Sequence, residues 1–137
     1  MSIKFDGLDE VLNSLDNLID MANYADGLEK ACMLVERTAK QKAPKGNGEL
    51  RRSITSKVED LQGIVYTPLL YAPYVEYGTG IFAEDNGGRK DVPWHYKDDT
   101  GEWHTTSGMP PTPYMRPALN ENREAILRVI KEGLVNG

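Results

Sequence analysis

The most informative stretch of this sequence is Tyr71-Ala72-Pro73-Tyr74-Val75-Glu76-Tyr77-Gly78-Thr79. It separates a predicted hairpin from a long segment rich in glycine and polar residues. Pro68 and Pro73 disfavour a long central strand here, since proline has no N–H to donate to a sheet. We therefore predict an irregular or short helical turn over residues 72–77. It is expected to end at Gly78, because glycine reaches backbone conformations that other residues rarely adopt.

Glu76 is the one carboxylate that the sequence singles out, because two tyrosines and a valine bracket it. A carboxylate in such surroundings is expected to be at least partly buried, and a buried charge needs a partner. Arg51, Arg52 and Arg116 are the candidate partners. We favour a structural ion pair, or a cap on backbone donors, over a catalytic acid with a raised pKa.

Upstream, residues 1–44 are predicted to be helical. Apolar residues recur at every third or fourth position from Leu8 onward, which is typical of amphipathic helices. Asp6-Gly7 is a plausible start for a first helix, and Ala22–Gly27 carries weak turn signals before a second one. Pro44 is expected to end the second helix.

Residues 50–79 are predicted to hold a β-hairpin followed by the turn described above. Over residues 54–59, Ile54, Ser56 and Val58 alternate with Thr55, Lys57 and Glu59, which suits a half-exposed strand. Residues 64–67 are all β-forming residues. The tetrapeptide Asp60-Leu61-Gln62-Gly63 is the predicted tight connection between these strands.

Residues 80–111 are rich in Gly, Asp, Asn and Pro and are predicted to form an extended loop with a second hairpin around an Asp-x-Gly turn. A connection of this length in a small domain is usually functional or mobile. We expect it to be poorly ordered in a free subunit and ordered by a neighbour. Aromatic residues are common interface anchors. The candidate interface residues are Ile81, Phe82, Trp94, Tyr96 and Trp103.

Residues 112–136 are predicted to form one C-terminal helix. Thr112 is the expected cap, with Pro113 in the first turn. Leu119, Ile126 and Ile130 share one stripe, which we expect to pack on the sheet.

Composition sets the broad class of the protein. A chain of 137 residues fits a single domain over residues 1–137. The formal net charge of −5 argues against a dedicated nucleic-acid binder. The lone Cys32 permits no internal disulfide and is expected to be a buried, inert thiol. We see neither a signal peptide nor an apolar run of about 20 residues, so no membrane association is expected.

The sequence offers no convincing catalytic centre. His95 and His104 are the only histidines. They could come near one another and near Asp98 and Glu102, but zinc sites use three or four ligands at characteristic spacings. We therefore predict no catalytic, metal-binding or cofactor-binding residue, no cofactor and no enzymatic activity.

Three short motifs occur in a characteristic order: Ala43-Pro44 with Gly48-x-Leu50-x-x-Ser53-Ile54, then the Tyr71–Thr79 segment, then Pro113-x-Met115-Arg116-Pro117-Ala118. In this order they resemble a family of small tail and neck components of tailed bacteriophages and prophages. The resemblance spans most of residues 35–130.

The resemblance implies an α+β fold. A long N-terminal helix and a C-terminal helix pack on a small, mostly antiparallel sheet, with a long central loop or hairpin. It also implies a ring, usually hexameric, at the portal–tail junction through which DNA passes, in head–tail joining or tail completion. The family brings no catalytic residues. Its motif positions imply structural roles for Tyr71, Glu76, Gly78, Pro113, Arg116 and Pro117.

The expected partners are copies of the same chain and neighbouring phage connector and tail proteins. Whether the subunit is a monomer before it joins the particle stays open. Sequence-specific nucleic-acid binding is not expected. The protein would be made in the bacterial host cytoplasm and end in the virion. One alternative is a small metal-dependent hydrolase or nuclease-like enzyme that uses His95 and His104. A weaker alternative is a prophage-encoded binding module.

Overall fold

The computed structural model describes residues 1–7, 21–46, 48–98 and 100–136. The proposed first amphipathic helix from Leu8 onward lies outside the described residues. The chain forms two compact units, which are described separately below. One unit comprises residues 1–69 and 114–137, and the other, the central unit, comprises residues 70–113. The prediction of a single domain over residues 1–137 stays a prediction.

In the first unit, a three-stranded antiparallel sheet comprises β1 (Ser2–Phe5), β2 (Thr55–Glu59) and β3 (Gln62–Tyr66). Its strand order is β1-β3-β2. The predicted β2–β3 hairpin is confirmed, but its connection is shorter than predicted, since Gln62 and Gly63 already belong to β3. Asp60 and Leu61 form the turn with φ values of 51° and 61°. Two residues with positive φ match the twist of a hairpin.

Strand β1 corrects the prediction that residues 1–44 are helical. Ser2 to Phe5 pair with Tyr66 to Gly63 on the open edge of β3. The alternation of Ile3 and Phe5 with polar residues suits a strand, but four residues are too few to reveal it. Phe5 is buried against Gly63, where an added Cβ would lie 2.6 Å from the Phe5 ring.

Helix α1 (Met21–Lys42) is the long helix of this unit, and Pro44 lies just beyond its end, as predicted. The weak turn signal at Ala22–Gly27 is wrong, because the helix runs through it. Gly27 instead allows a close helix contact, since an added Cβ would lie 3.0 Å from Ile130 Cα. One face of α1 is buried in the core and contains Tyr24, Leu28, Ala31, Cys32, Val35 and Ala39.

A short helix, α2 (Glu49–Ser53), precedes β2 and was not predicted, because residues 50–54 were placed in the sheet region. Gly48 begins it with φ 82°, and the Ser53 hydroxyl donates to the Leu50 carbonyl oxygen at 2.6 Å. The local hydrogen bonds of Ser53 therefore favour a helical turn over an extended strand.

The C-terminal segment is two helices, α4 (Met115–Glu121) and α5 (Arg123–Asn136), rather than the one predicted. Asn122 separates them with φ −101° and ψ 5°. Its side-chain amide donates to Ala118 O at 2.7 Å and to Thr38 Oγ1 at 2.9 Å. A side chain that bonds to a backbone carbonyl competes with the helix, which accounts for the break.

The start and packing of this segment also differ from the sequence prediction. Tyr114, not Thr112, occupies the N-cap position of α4, and its side chain makes no capping hydrogen bond. Ile126 and Ile130 are buried, while Leu119 is half-buried. Helix α4 lies against β1 and α1, whereas α5 packs along α1. Ile130 therefore supports the contact with α1 at Gly27 rather than packing on the sheet.

The central unit contains α3 (Ala72–Tyr77), 3-10 turns at Gly80–Phe82 and Glu84–Asn86, and an antiparallel hairpin of β4 (Trp94–Lys97) and β5 (Trp103–Thr106). The predicted helical turn, its end at Gly78 and the second hairpin are all confirmed. The α+β fold is thereby established, with antiparallel sheets throughout the described residues. In that part of the chain, no helix combines the length and apolar character that a membrane span requires.

Candidate assembly surface

Exposed large apolar side chains are concentrated in the central unit. Ten such side chains are exposed among the described residues, and Met33 on α1 is the single one in the first unit. Leu70 is 91% exposed and Trp103 is 69% exposed. Exposed apolar side chains that are concentrated in one part of a small protein make that part a candidate interaction surface. The nine residues of this apolar surface are Leu70, Tyr71, Tyr74, Tyr77, Ile81, Phe82, Tyr96, Trp103 and Met109.

Helix α3 shows how the chain turns aromatic residues outward. Ala72 and Glu76 are fully buried, and they lie four residues apart on one helical face. Tyr74 and Tyr77 lie on the other face and are 61% and 41% exposed. The polar residue is thus inside and the aromatic residues outside, the reverse of an ordinary surface helix. Such an inversion favours an outer face that is covered by another molecule.

Backbone hydrogen bonds join the two ends of the segment that follows α3. The Thr79 N–H donates to Met109 O at 2.9 Å, and the Ile81 N–H donates to Ser107 O at 3.0 Å. The approach is very close, because an added Cβ on Gly80 would lie 1.9 Å from Ser107 O. Residues 80–111 therefore have a defined hydrogen-bonded base, although their predicted lack of order in a free subunit stays a prediction.

A groove of about 590 Å³ opens beside α3 within the central unit. Its apolar lining includes Tyr74, Tyr77 and Trp94, and its charged members are Glu84 and Arg89. The Arg89 guanidinium lies 5.1 Å from the centre of the Trp94 ring, a cation–π contact. Glycines form much of the remaining lining. The groove has the size of a binding cleft, and three aromatic side chains line it.

Asp98 organises the tip of the β4–β5 hairpin. Its Oδ1 accepts hydrogen bonds from the Thr100 hydroxyl at 2.7 Å and from the Thr100 and Glu102 N–H groups at 2.9 Å. Its Oδ2 lies 2.6 Å from His104 Nε2. Hydrogen bonds from Thr100, His104 and the Glu102 amide hold the pKa of Asp98 well below its ordinary value, because they favour the carboxylate.

The two histidines are not brought together. His95 pairs with Thr105 and His104 pairs with Tyr96 in the hairpin register. Successive residues of a strand point to opposite faces, so His95 and His104 face opposite sides of the ribbon. The alternative that depends on both histidines therefore lacks a shared site.

Asp98, Glu102 and His104 do offer ligand atoms within 4.8 Å of one another. However, both carboxylate oxygens of Asp98 already take part in the hydrogen bonds of the turn, and the Tyr96 ring stacks on His104 with centroids 5.2 Å apart. These contacts explain why Asp98, Glu102 and His104 lie close together without a metal ion, since they stabilise the turn of the hairpin.

Four of the five predicted interface residues are exposed, and the fifth, Trp94, is half-buried as part of the groove lining. Their interface role stays a prediction. Sequence reasoning did not single out Leu70, Tyr74, Tyr77 and Met109. The helical spacing of Tyr74 and Tyr77 opposite Ala72 and Glu76 is the signal that could have found two of them.

The residues with predicted structural roles lie in or next to α3 and α4. Glu76 is fully buried, as expected, and its predicted arginine partner stays a prediction. Tyr71 is 39% exposed and Pro113 is exposed. Arg116 and Pro117 are half-buried in the first turn of α4.

The sequence model of the family described as "Bacteriophage HK97-gp10, putative tail-component" matches residues 6–78, slightly more than half of the chain. The chain belongs to this phage tail-component family. The match confirms the resemblance inferred from the motifs and assigns the protein a structural role in a phage particle. It covers α1, α2, β2, β3 and α3 and ends at Gly78, before the β4–β5 hairpin. No curated protein and no solved structure matches the chain significantly.

Proposed function

We propose that this tail component forms a ring at the portal–tail junction, where it acts in head–tail joining or tail completion and leaves a channel for DNA. The observation that carries this proposal is the apolar surface of the central unit, which holds nine of the ten exposed large apolar side chains of the described residues. A surface of this kind is stabilised when another molecule covers it.

Copies of the same chain are the first partners that this proposal requires. Most soluble oligomers are symmetric assemblies of one chain, and contacts between two different patches close into rings when the rotation allows. Neighbouring connector and tail proteins would contact the remaining exposed surface. The hexameric state belongs to this proposal and rests on the resemblance to phage neck components.

The charge of the chain fits a channel through which DNA slides. The formal net charge of −5 provides little attraction for phosphate groups, and phosphate contacts supply most of the affinity of proteins that grip DNA. An acidic ring would let DNA pass without holding it. The protein would therefore be found in the virion, after synthesis in the host cytoplasm.

The test is complementation of a phage that lacks this gene. The wild-type protein should restore complete particles, as seen by electron microscopy. The double variant Trp94→Ala with Trp103→Ala should fold but leave heads and tails separate, because it removes two aromatic anchors from the central unit. Met33→Ala is the matched control, since Met33 is 65% exposed but lies in the first unit.

Two outcomes would contradict the proposal. Particles completed normally by the double variant would remove the role of the central unit in assembly. One zinc or manganese ion bound per chain, together with hydrolytic activity, would instead favour the enzyme alternative, and metal analysis of the purified protein decides between them.

A further inference from the structure

The central unit carries a projecting aromatic side chain at one end of its hairpin and an aromatic groove at the other. Lys97 pairs with Trp103 at the tip, whereas Trp94 pairs with Thr106 at the base. Trp103 is 69% exposed, and Lys97 Nζ lies 5.9 Å from the centre of its ring. We propose that the hairpin tip of one copy, with Trp103 at its centre, binds in the groove of the next copy.

Trp103 cannot fill the groove of its own chain. The groove is lined by Trp94, which lies three residues before Lys97 on the same strand. A strand advances about 3.3 Å per residue, so the tip and the groove are held roughly 10 Å apart. The hairpin hydrogen bonds fix this separation. The tip of the same hairpin therefore does not fill the groove, whereas the tip of a second copy of this chain is free of that restriction.

The charges at the two ends of the hairpin are complementary. The groove contains Glu84 and Arg89, and the tip contains Lys97 together with the carboxylates of Asp98 and Glu102. Docking can place Lys97 near Glu84 and Glu102 near Arg89, two pairs of opposite sign. Complementary charges of this kind fix orientation and disfavour wrong partners. An aromatic anchor surrounded by such charges is the composition expected of a small protein interface.

This contact deepens the ring proposal, on which it rests. The tip and the groove are different patches, so each copy uses its tip on one neighbour and its groove on the other. Such head-to-tail contacts generate a closed ring or a filament rather than a two-fold dimer. The hairpin lies outside the residues matched by the family model, whereas Tyr74 and Tyr77 of the groove lie within them.

The first experiment mixes two defective full-length variants. Trp103→Ala removes the tip anchor, and Tyr74→Ala removes an exposed wall of the groove. The wild-type protein should form higher assemblies with increasing concentration in analytical ultracentrifugation. Each variant alone should stay monomeric, because one half of every contact is missing. An equimolar mixture should stop at pairs, since one intact tip and one intact groove remain. Met33→Ala should assemble like the wild-type protein.

The second experiment exchanges charges and does not depend on removing a large side chain. Lys97→Glu and Glu84→Lys should each weaken assembly by about tenfold or more, because each places like charges together. The double variant should recover most of the loss. Lys90→Glu is the matched control, since it makes the same charge change at an exposed position of the central unit outside the groove lining.

Two results would overturn the inference. One is assembly of Trp103→Ala as strong as that of the wild-type protein. The other is a wild-type protein that stays monomeric up to about 1 mM, the range of very weak contacts. Neither result would decide the proposed function, because particle completion in the complementation assay is measured independently.

Discussion

Gly78 holds a backbone conformation that other residues rarely adopt. Its φ of 84° and ψ of 174° lie in a region that is essentially accessible to glycine alone. Its surroundings leave no room for a side chain either, since an added Cβ would lie 2.9 Å from Pro111 Cδ and 3.0 Å from Met109 O. Gly78 therefore ends α3 and lets the following chain pass close to residues 109–111.

We expect Gly78→Ala to lower the free energy of unfolding by at least about 1–3 kcal/mol, the usual cost of a strained backbone conformation, with Gly78→Val worse. Urea denaturation monitored by tryptophan fluorescence measures this, because both tryptophans lie in the central unit. Gly87→Ala is the control, since Gly87 has an ordinary φ of −80°. Equal midpoints for Gly78→Ala and Gly87→Ala would contradict the structural role of Gly78.

Cys32 is a buried thiol, as the sequence predicts. It is 2% exposed on the inner face of α1, and its Sγ lies 3.6 Å from Lys57 O. Burial raises the pKa of Cys32 from its ordinary value of 9.0 to about 11. The neutral thiol is therefore the form that the folded state stabilises.

The raised pKa of Cys32 predicts a stability difference that depends on pH. The unfolded chain loses this proton near its ordinary pKa, whereas the folded chain keeps it until about pH 11. The contribution is thus complete below the ordinary pKa and is lost as the pH rises toward the folded value. The difference in urea midpoint between the parent and Cys32→Ala should shrink from about pH 7.5 to about pH 10. A constant difference over this range would contradict a raised pKa.

At the scale of elements, the sequence predicted those parts of the fold that depend on local pattern. The β2–β3 hairpin, the β4–β5 hairpin and α3 were predicted because alternation, turn residues and prolines act over a few neighbouring positions. Strand β1 was missed because a four-residue strand depends on its partner β3 rather than on its own pattern.

Two of the sequence predictions were wrong because tertiary contacts, rather than local pattern, decide the structure at those positions. Gly27 was taken as a turn signal, but its lack of a side chain allows α5 to approach α1. The break at Asn122 was missed because it depends on a hydrogen bond to Thr38 on another helix. The candidate interface was partly predicted from its aromatic residues, but the groove was not, since it arises from the close approach of Gly80 and Gly88.

Helix α5 provides a direct test of how the first unit is stabilised. Ile126 is 3% exposed on the buried face of this helix, and we expect Ile126→Ala to lower the free energy of unfolding by about 2–5 kcal/mol through loss of contacts and creation of a cavity. Thermal melting measured by circular dichroism checks this. Met33→Ala, at an exposed site on α1, should melt like the parent. An unchanged melting temperature for Ile126→Ala would show that α5 adds little to the core.

At the scale of the whole molecule, the two units differ in what they expose. The first unit has a core of side chains from α1, α4, α5 and the sheet, and its described residues include one exposed large apolar side chain. The central unit places its aromatic residues outside and its carboxylate Glu76 inside. This contrast is the basis for our proposal that the central unit supplies the contacts with other molecules. The family match includes α3 of the central unit but does not reach the hairpin.

We propose that other molecules cover the central unit when the protein enters a phage particle. Limited trypsin digestion of free subunits and of purified particles tests it most directly, with cleavage sites mapped by mass spectrometry. Arg89, Lys90 and Lys97 lie between Ile81 and Met109 and are exposed, so cleavage of free subunits should concentrate there. Exposed residues on α1, such as Lys30 and Arg37, provide the comparison, because their helix protects them in both states.

We expect rapid cleavage after Arg89, Lys90 and Lys97 in free subunits and strong protection of the same bonds in particles. Cleavage at these sites that is equally fast in assembled particles would contradict the claim, because the apolar surface would then remain uncovered. Equal resistance of the hairpin and the helices in free subunits would contradict the predicted mobility of residues 80–111.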